Sequence, residues 1–112
     1  MTKYRKKILL DLDGVLNVYN GSYDKDKIPD IKEGAREFAE KLSENFDLYL
    51  FTTREKSLSE KWLKENNLNQ YFKEVTNIKI PAYLHIDDRC ICFNGDYNKL
   101  FSEINNFKVY WK

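Results

Sequence analysis

Near its start the chain reads Ile8-Leu9-Leu10-Asp11-Leu12-Asp13-Gly14. An apolar run leads directly into two aspartates, Asp11 and Asp13, and then into a glycine. A run this short that ends at a turn signal is typical of a buried parallel strand. Ligands of open α/β sheets bind just beyond the carboxyl ends of the strands. The stretch therefore predicts an α/β fold with two carboxylates where such a fold binds its ligands.

The proximity of Asp11 and Asp13 has a chemical consequence. Two like charges repel each other, and burial makes each ionised form more costly. A divalent cation offsets this cost, and carboxylate oxygens suit Mg²⁺. One carboxylate can then serve as a nucleophile and the other as a general acid and base. The alternative is an ordinary turn with solvated carboxylates.

Two further predicted strands end in polar residues. Asp47–Phe51 leads into Thr52-Thr53-Arg54, and the strand that begins at Ala82 leads into Asp87-Asp88-Arg89. In a parallel sheet, these strand ends lie at the same edge as Asp11. Arg54 is either a bidentate phosphate ligand or a solvated loop arginine.

The motif Asp-x-Asp-Gly-Val, the threonine after the second strand and the later pair of aspartates resemble the motifs of the haloacid dehalogenase-like (HAD) phosphohydrolases, in the same order. The resemblance covers about residues 7–95. It implies Asp11 as the nucleophile that becomes an aspartyl-phosphate and Asp13 as the general acid and base. It also implies a phosphate site that includes Thr52, with Lys79 as the family's lysine and Lys73 as the alternative.

The resemblance further implies a magnesium site and a fold. The metal ligands would be Asp11, Asp88 and the main-chain carbonyl of Asp13, with Asp87 in support. The fold would be a three-layer α/β/α sandwich around a parallel sheet of about five strands. We expect residues 1–112 to form a single domain without a cap, because the segments between the motifs are short.

Local patterns predict the remaining elements. Asn20-Gly21 predicts a hairpin within Val15–Tyr23. This hairpin resembles the flap that HAD proteins carry after the first motif, which implies that Tyr19 and Tyr23 lie over the aspartates; the alternative is that they pack against each other. Two capping boxes predict helices: one capped by Asp30 and Glu33 that runs to Phe46, and one capped by Ser57 and Glu60 that runs to Asn66. A third helix is predicted at Asp96–Asn106, with Leu100, Phe101 and Ile104 facing inward. A weak strand is predicted at Phe72–Thr76 and a final strand at Phe107–Trp111.

Composition limits the function classes. The 112 residues include 19 basic and 18 acidic ones, with a formal net charge of +1, which argues against a strong non-specific nucleic-acid or membrane surface. No apolar run approaches the roughly 18 residues of a membrane span, and we expect a cytoplasmic protein. We expect Cys90 and Cys92 to be reduced and partly buried, and His85 to be a core histidine.

The predicted function is a magnesium-dependent phosphomonoesterase that acts on a small phosphorylated metabolite or nucleotide. The alternatives are a phosphatase of nucleic-acid ends, a phosphotransferase with an acceptor other than water, and a non-catalytic phosphate- or partner-binding module on the same fold. The sequence does not predict the oligomeric state.

Overall fold

The computed structural model describes residues 4–112 and contains one sheet of four parallel strands. The strands are β1 (Lys7–Leu10), β2 (Asp47–Phe51), β3 (Phe72–Thr76) and β4 (Leu84–Ile86), in the spatial order β3-β2-β1-β4. The sheet confirms the α/β prediction and has the character of a Rossmann-like fold. The predicted buried strand is confirmed, since Ile8, Leu9 and Leu10 are at most 2% exposed.

The register of the sheet brings three strand ends to one level. Leu10 of the central strand β1 is paired with Leu50 of β2 on one side and with Ile86 of β4 on the other. The chain therefore leaves β1, β2 and β4 at the same edge of the sheet.

Within residues 4–112, three α-helices accompany the sheet: α1 (Ala35–Ser43), α2 (Lys56–Glu65) and α3 (Tyr97–Asn105). A short 3-10 helix at Asn69–Tyr71 precedes β3. Helix α1 packs against β2, and α2 packs against β3. The main core contains buried residues of α1, α2, β1, β2 and β3 and of the segments that flank them, including Leu10, Leu12, Leu16, Ala39, Leu48, Leu50, Leu63, Leu68 and Val75, and Ile86 of β4 packs against it partly buried.

Both predicted capping boxes are wrong. Helix α1 begins at Ala35, after Gly34, whose φ of 87° lies in the left-handed region. Ile31 cannot start the helix, because it forms an antiparallel bridge with Asn17. Helix α2 has Glu55 as its N-cap residue and no side-chain capping hydrogen bond.

The predicted hairpin at Asn20-Gly21 is also wrong. Ser22 donates its N–H to the Asn20 side chain, so a turn does form there, but no strands flank it. Instead, Val18 donates its N–H to the carbonyl of Asp30 at 3.0 Å. Pairing with the segment before α1 replaces pairing within the hairpin.

The sheet has four strands rather than the predicted five, because Phe107–Trp111 contains no strand and ends in a turn at Tyr110 and Trp111. The predicted inward face of α3 is wrong for two of its three residues, since Phe101 is 67% and Ile104 52% exposed, whereas Leu100 is partly buried. Strand β4 has only three residues, and its Leu84 is itself 38% exposed. The sheet therefore offers little apolar surface for α3 to cover.

Three other burial predictions fail near β4. Cys90 and Cys92 are free, as predicted, but both are exposed. His85 is exposed rather than a core residue, because it lies on a short edge strand, where its ring makes an edge contact with Phe51.

None of the helices in residues 4–112 combines the length and apolar character that crossing a membrane requires.

Candidate active site

Asp11 lies at the carboxyl end of β1, between two neighbouring strand ends. Its N–H donates to the carbonyl of Ile86 at 2.9 Å, which continues the pairing of β1 with β4 by one residue. This contact brings Asp11 beside the two residues that follow β4. The carboxylates of Asp11, Asp87 and Asp88 each offer an oxygen within 4.8 Å of the others.

The charge on this carboxylate cluster is poorly compensated by the protein. Burial, and then the negative charge of Asp87, raise the pKa of Asp11 to about 8. Asp88 acts in the same direction, and the N–H of Leu12 opposes it. Three close carboxylates with an ionisation cost of this size fit a hard divalent cation, since a cation would restore the ionised form of Asp11.

Asp13 is held apart from the cluster by two side chains. The Arg54 Nε donates to its Oδ2 at 2.9 Å, and the Asn17 Nδ2 donates to its Oδ1 at 3.0 Å. The Asn17 Oδ1 in turn accepts the N–H groups of Gly14 and Tyr19. Arg54 and the turn after β1 therefore fix the orientation of the Asp13 side chain.

The sequence analysis did not identify Asn17 as a residue of the site, yet its side chain is completely buried there. The available signal was a single amide side chain within the otherwise apolar stretch Val15-Leu16-Asn17-Val18. A buried amide needs hydrogen-bond partners, and a turn beside two aspartates supplies them.

Arg54 is buried, and the solvated-loop alternative is therefore wrong. Its side chain is 1% exposed, pairs with Asp13 and donates from Nη1 to the carbonyl of Asp24 at 2.7 Å. The ring of Tyr23 lies 4.6 Å from the guanidinium carbon. Arg54 is not among the residues that line the pocket described below, so the structure does not bring this predicted phosphate ligand to the pocket wall.

A pocket of about 340 Å³ opens above the strand ends. It is lined by Asp11, Asp13, Tyr19, Tyr23, Phe51, Thr52, Thr53, Asp87, Asp88 and Arg89. Thr52 is 7% exposed, and its hydroxyl oxygen accepts the N–H of Arg54 at 3.2 Å. The hydroxyl hydrogen is left free to donate into the pocket.

The structure does not bring the predicted lysines to this pocket. Lys79 is exposed in the segment between β3 and β4, and Lys73 is exposed on β3 beside a different pocket. Among the described residues, the cationic side chain that lines the pocket is Arg89. The sequence signal for Arg89 was its position directly after the acidic pair.

The raised pKa of Asp11 predicts how stability depends on pH without a metal. Between about pH 4 and about pH 8 the folded state binds the Asp11 proton and the unfolded chain does not. The free energy of unfolding should therefore fall as the pH rises through this window, and the Asp11→Asn variant should lack this contribution. Urea unfolding in chelator at about pH 5 and about pH 8 measures the difference. Parallel pH profiles for the two proteins would contradict the assignment.

Comparison with known proteins supports the fold. No family model matches the chain, and no curated protein is significantly similar in sequence. The structure is similar to that of a conserved protein from Bacteroides thetaiotaomicron, with a TM-score of 0.58 and 23% sequence identity. The match covers 96% of this chain and 95% of the other. At this level of identity the likeness shows the α/β architecture alone.

Proposed function

We propose that the protein is a magnesium-dependent phosphomonoesterase of the capless HAD type, with a three-layer arrangement and an aspartyl-phosphate intermediate. The observation that carries the proposal is the meeting of Asp11, Asp87 and Asp88 at the strand ends, in one pocket with Asp13 and Thr52. The order of these residues along the chain, after β1, β2 and β4, is the order of the HAD motifs.

In the first step, an oxygen of the Asp11 carboxylate attacks the phosphorus of the substrate. The bond from phosphorus to the ester oxygen breaks, and that oxygen takes a proton from Asp13. In the second step, water attacks the phosphorus of the aspartyl-phosphate and gives a proton to Asp13. The bond from phosphorus to Asp11 breaks, and inorganic phosphate leaves.

The contacts of Asp13 suit its role in proton transfer. General acid–base catalysis requires a carboxylate that is held within reach of the reacting oxygen. Arg54 and Asn17 each donate a hydrogen bond to one oxygen of Asp13. These bonds fix the side chain of Asp13 on the pocket wall, so that it does not have to change its conformation before the proton transfer.

The remaining groups stabilise the transferred phosphoryl group. The free hydroxyl hydrogen of Thr52 and the guanidinium of Arg89 are the donors that we assign to its oxygens. Mg²⁺ held by Asp11, Asp87, Asp88 and the main-chain carbonyl of Asp13 would neutralise charge on the phosphate and on the cluster.

The walls of the pocket favour a small substrate. Tyr19, Tyr23 and Phe51 line it together with the polar groups, and a volume of about 340 Å³ is in the range of small-molecule sites. Aromatic walls suit the base of a nucleotide or another planar leaving group. The near-neutral net charge of the chain favours such a substrate over a nucleic-acid end.

A phosphate-release screen tests the proposal. The substrates are nucleoside monophosphates, sugar phosphates and oligonucleotides with a 3′- or 5′-phosphate, each with and without Mg²⁺. We expect magnesium-dependent release from one or more of the small substrates. Release confined to oligonucleotides would support the nucleic-acid-end alternative. Release from none, together with phosphate binding, would support the binding module.

Arg89 and Lys79 should differ in their effect on activity. Replacing Arg89 with Gln removes a cation from the pocket wall, and we expect a loss in kcat/KM of about tenfold or more. Lys79→Gln removes the same charge from an exposed position outside the pocket and should leave kcat/KM within about twofold of wild type. Steady-state kinetics of both variants measures the two losses in kcat/KM. A larger loss for Lys79→Gln than for Arg89→Gln would support Lys79, and not Arg89, as the phosphate-binding cation.

A further inference from the structure

The segment after α3 reaches back to the carboxylate cluster. The indole Nε1 of Trp111 donates a hydrogen bond to Oδ2 of Asp88. The hydroxyl of the neighbouring Tyr110 donates to the carbonyl of Gly14, in the turn that carries Asp13. Val109 is 7% exposed and anchors the segment.

The ring of Trp111 is fixed from a second side. Tyr19 makes an edge contact with it, with ring centroids 5.2 Å apart and an interplanar angle of 77°. Since Tyr19 also donates its N–H to Asn17, which binds Asp13, the indole packs on the same turn that orients the acid and base.

Gly14 shows how closely these groups approach each other. A Cβ atom added to Gly14 would lie 2.1 Å from Oδ2 of Asp88 and 3.0 Å from Nε1 of Trp111. The residue also has a φ of 82°, which disfavours any side chain. Because Gly14 has no side chain, the indole of Trp111 and the carboxylate of Asp88 can meet beside it.

We propose that Trp111 is a positioning residue for Asp88 in the metal site, an inference that rests on the proposed function. A carboxylate has two oxygens, and the indole N–H occupies one of them. This bond restricts rotation of the Asp88 side chain and so holds its ligand atom within 4.8 Å of those of Asp11 and Asp87. Outer hydrogen bonds of this kind orient metal ligands and set metal affinity.

The substitution Trp111→Phe tests the proposal because it keeps an aromatic ring and removes the N–H. We expect the dissociation constant for Mg²⁺, measured by titration calorimetry with the metal alone, to rise about tenfold or more. Trp111→His restores a ring N–H and should recover part of the affinity.

Trp62→Phe is the matched control. It makes the same chemical change at a buried tryptophan, whose Nε1 donates to the carbonyl of Pro29, away from the cluster. It should lower the thermal unfolding midpoint and leave the Mg²⁺ dissociation constant unchanged. A loss of affinity in both variants would mean that the effect of Trp111→Phe is structural, and would overturn the proposal.

Three other results would overturn the proposal. Equal Mg²⁺ affinity for wild type and Trp111→Phe would show that the indole bond does not orient Asp88. Tighter binding in Trp111→Phe would show that the indole competes with the cation, which is an inhibitory contact. Absence of Mg²⁺ binding in wild type would overturn the proposed function as well, so the two failures are distinguishable.

Discussion

Replacing Asp11 with Asn should abolish phosphate release. The substitution keeps the size of the side chain, but the neutral amide lacks the negative charge that makes a carboxylate oxygen a nucleophile toward phosphorus. We expect turnover to fall by at least about a thousandfold, because the covalent route is closed. Initial rates on the best substrate of the screen, at saturating Mg²⁺, measure the loss.

The control for this variant is Asp30→Asn. Asp30 is exposed and does not line the pocket, so the same change of charge there should leave turnover near wild type. Far-UV circular dichroism establishes that both variants are folded. Near-native turnover in Asp11→Asn would refute the nucleophile assignment and favour the binding-module alternative.

Removal of Mg²⁺ should have an effect of similar size. Burial and the charge of Asp87 raise the pKa of Asp11 to about 8, so near neutral pH most of the carboxylate is protonated without a cation, which costs about tenfold. The larger part of the loss comes from the transferred phosphoryl group, whose charge the cation would neutralise. We expect activity to be lost in excess chelator and to return when Mg²⁺ is added in excess over the chelator. A chelator pre-saturated with Mg²⁺ serves as the control for direct effects of the chelator.

Full hydrolysis in excess chelator would contradict the assignment of a metal site to Asp11, Asp87 and Asp88. If other divalent cations restored the activity equally well, the assignment of the metal site would stand, but Mg²⁺ would not be its specific metal.

The strand ends could be predicted from the sequence because the relevant signals are local. Ile8–Leu10 is apolar without interruption and stops at charged residues, so both the strand and its end are encoded within a few positions. The rule that parallel strands present their carboxyl ends at one edge then places Asp11, Thr52 and Asp87 together without further information.

The positions at which the helices begin and the exposure of α3 could not be predicted in this way. Asp30 and Glu33 have the spacing of a capping box, but the bridge between Asn17 and Ile31 is a tertiary contact that overrides it. The apolar periodicity of α3 predicts an inward face only if the sheet extends beneath it, and β4 is too short to do so.

The supporting groups of the site depend on contacts that are distant along the chain. Arg54 lies 41 positions from Asp13, and Trp111 lies 23 positions from Asp88. A pattern-based reading assigns Trp111 to a strand, because aromatic residues favour strands. Only the three-dimensional arrangement shows that its indole N–H binds a carboxylate of the cluster.

The most direct test of the central claim is a search for the covalent intermediate in Asp13→Asn by intact-protein mass spectrometry. This variant lacks the base that activates water. With a substrate that has a good leaving group, the first step should continue slowly while hydrolysis of the intermediate stalls. We predict an adduct about 80 Da heavier than the protein, mapped to Asp11 and absent from Asp11→Asn. Turnover of the wild type, with no adduct in Asp13→Asn or an adduct on another residue, would contradict the aspartyl-phosphate mechanism.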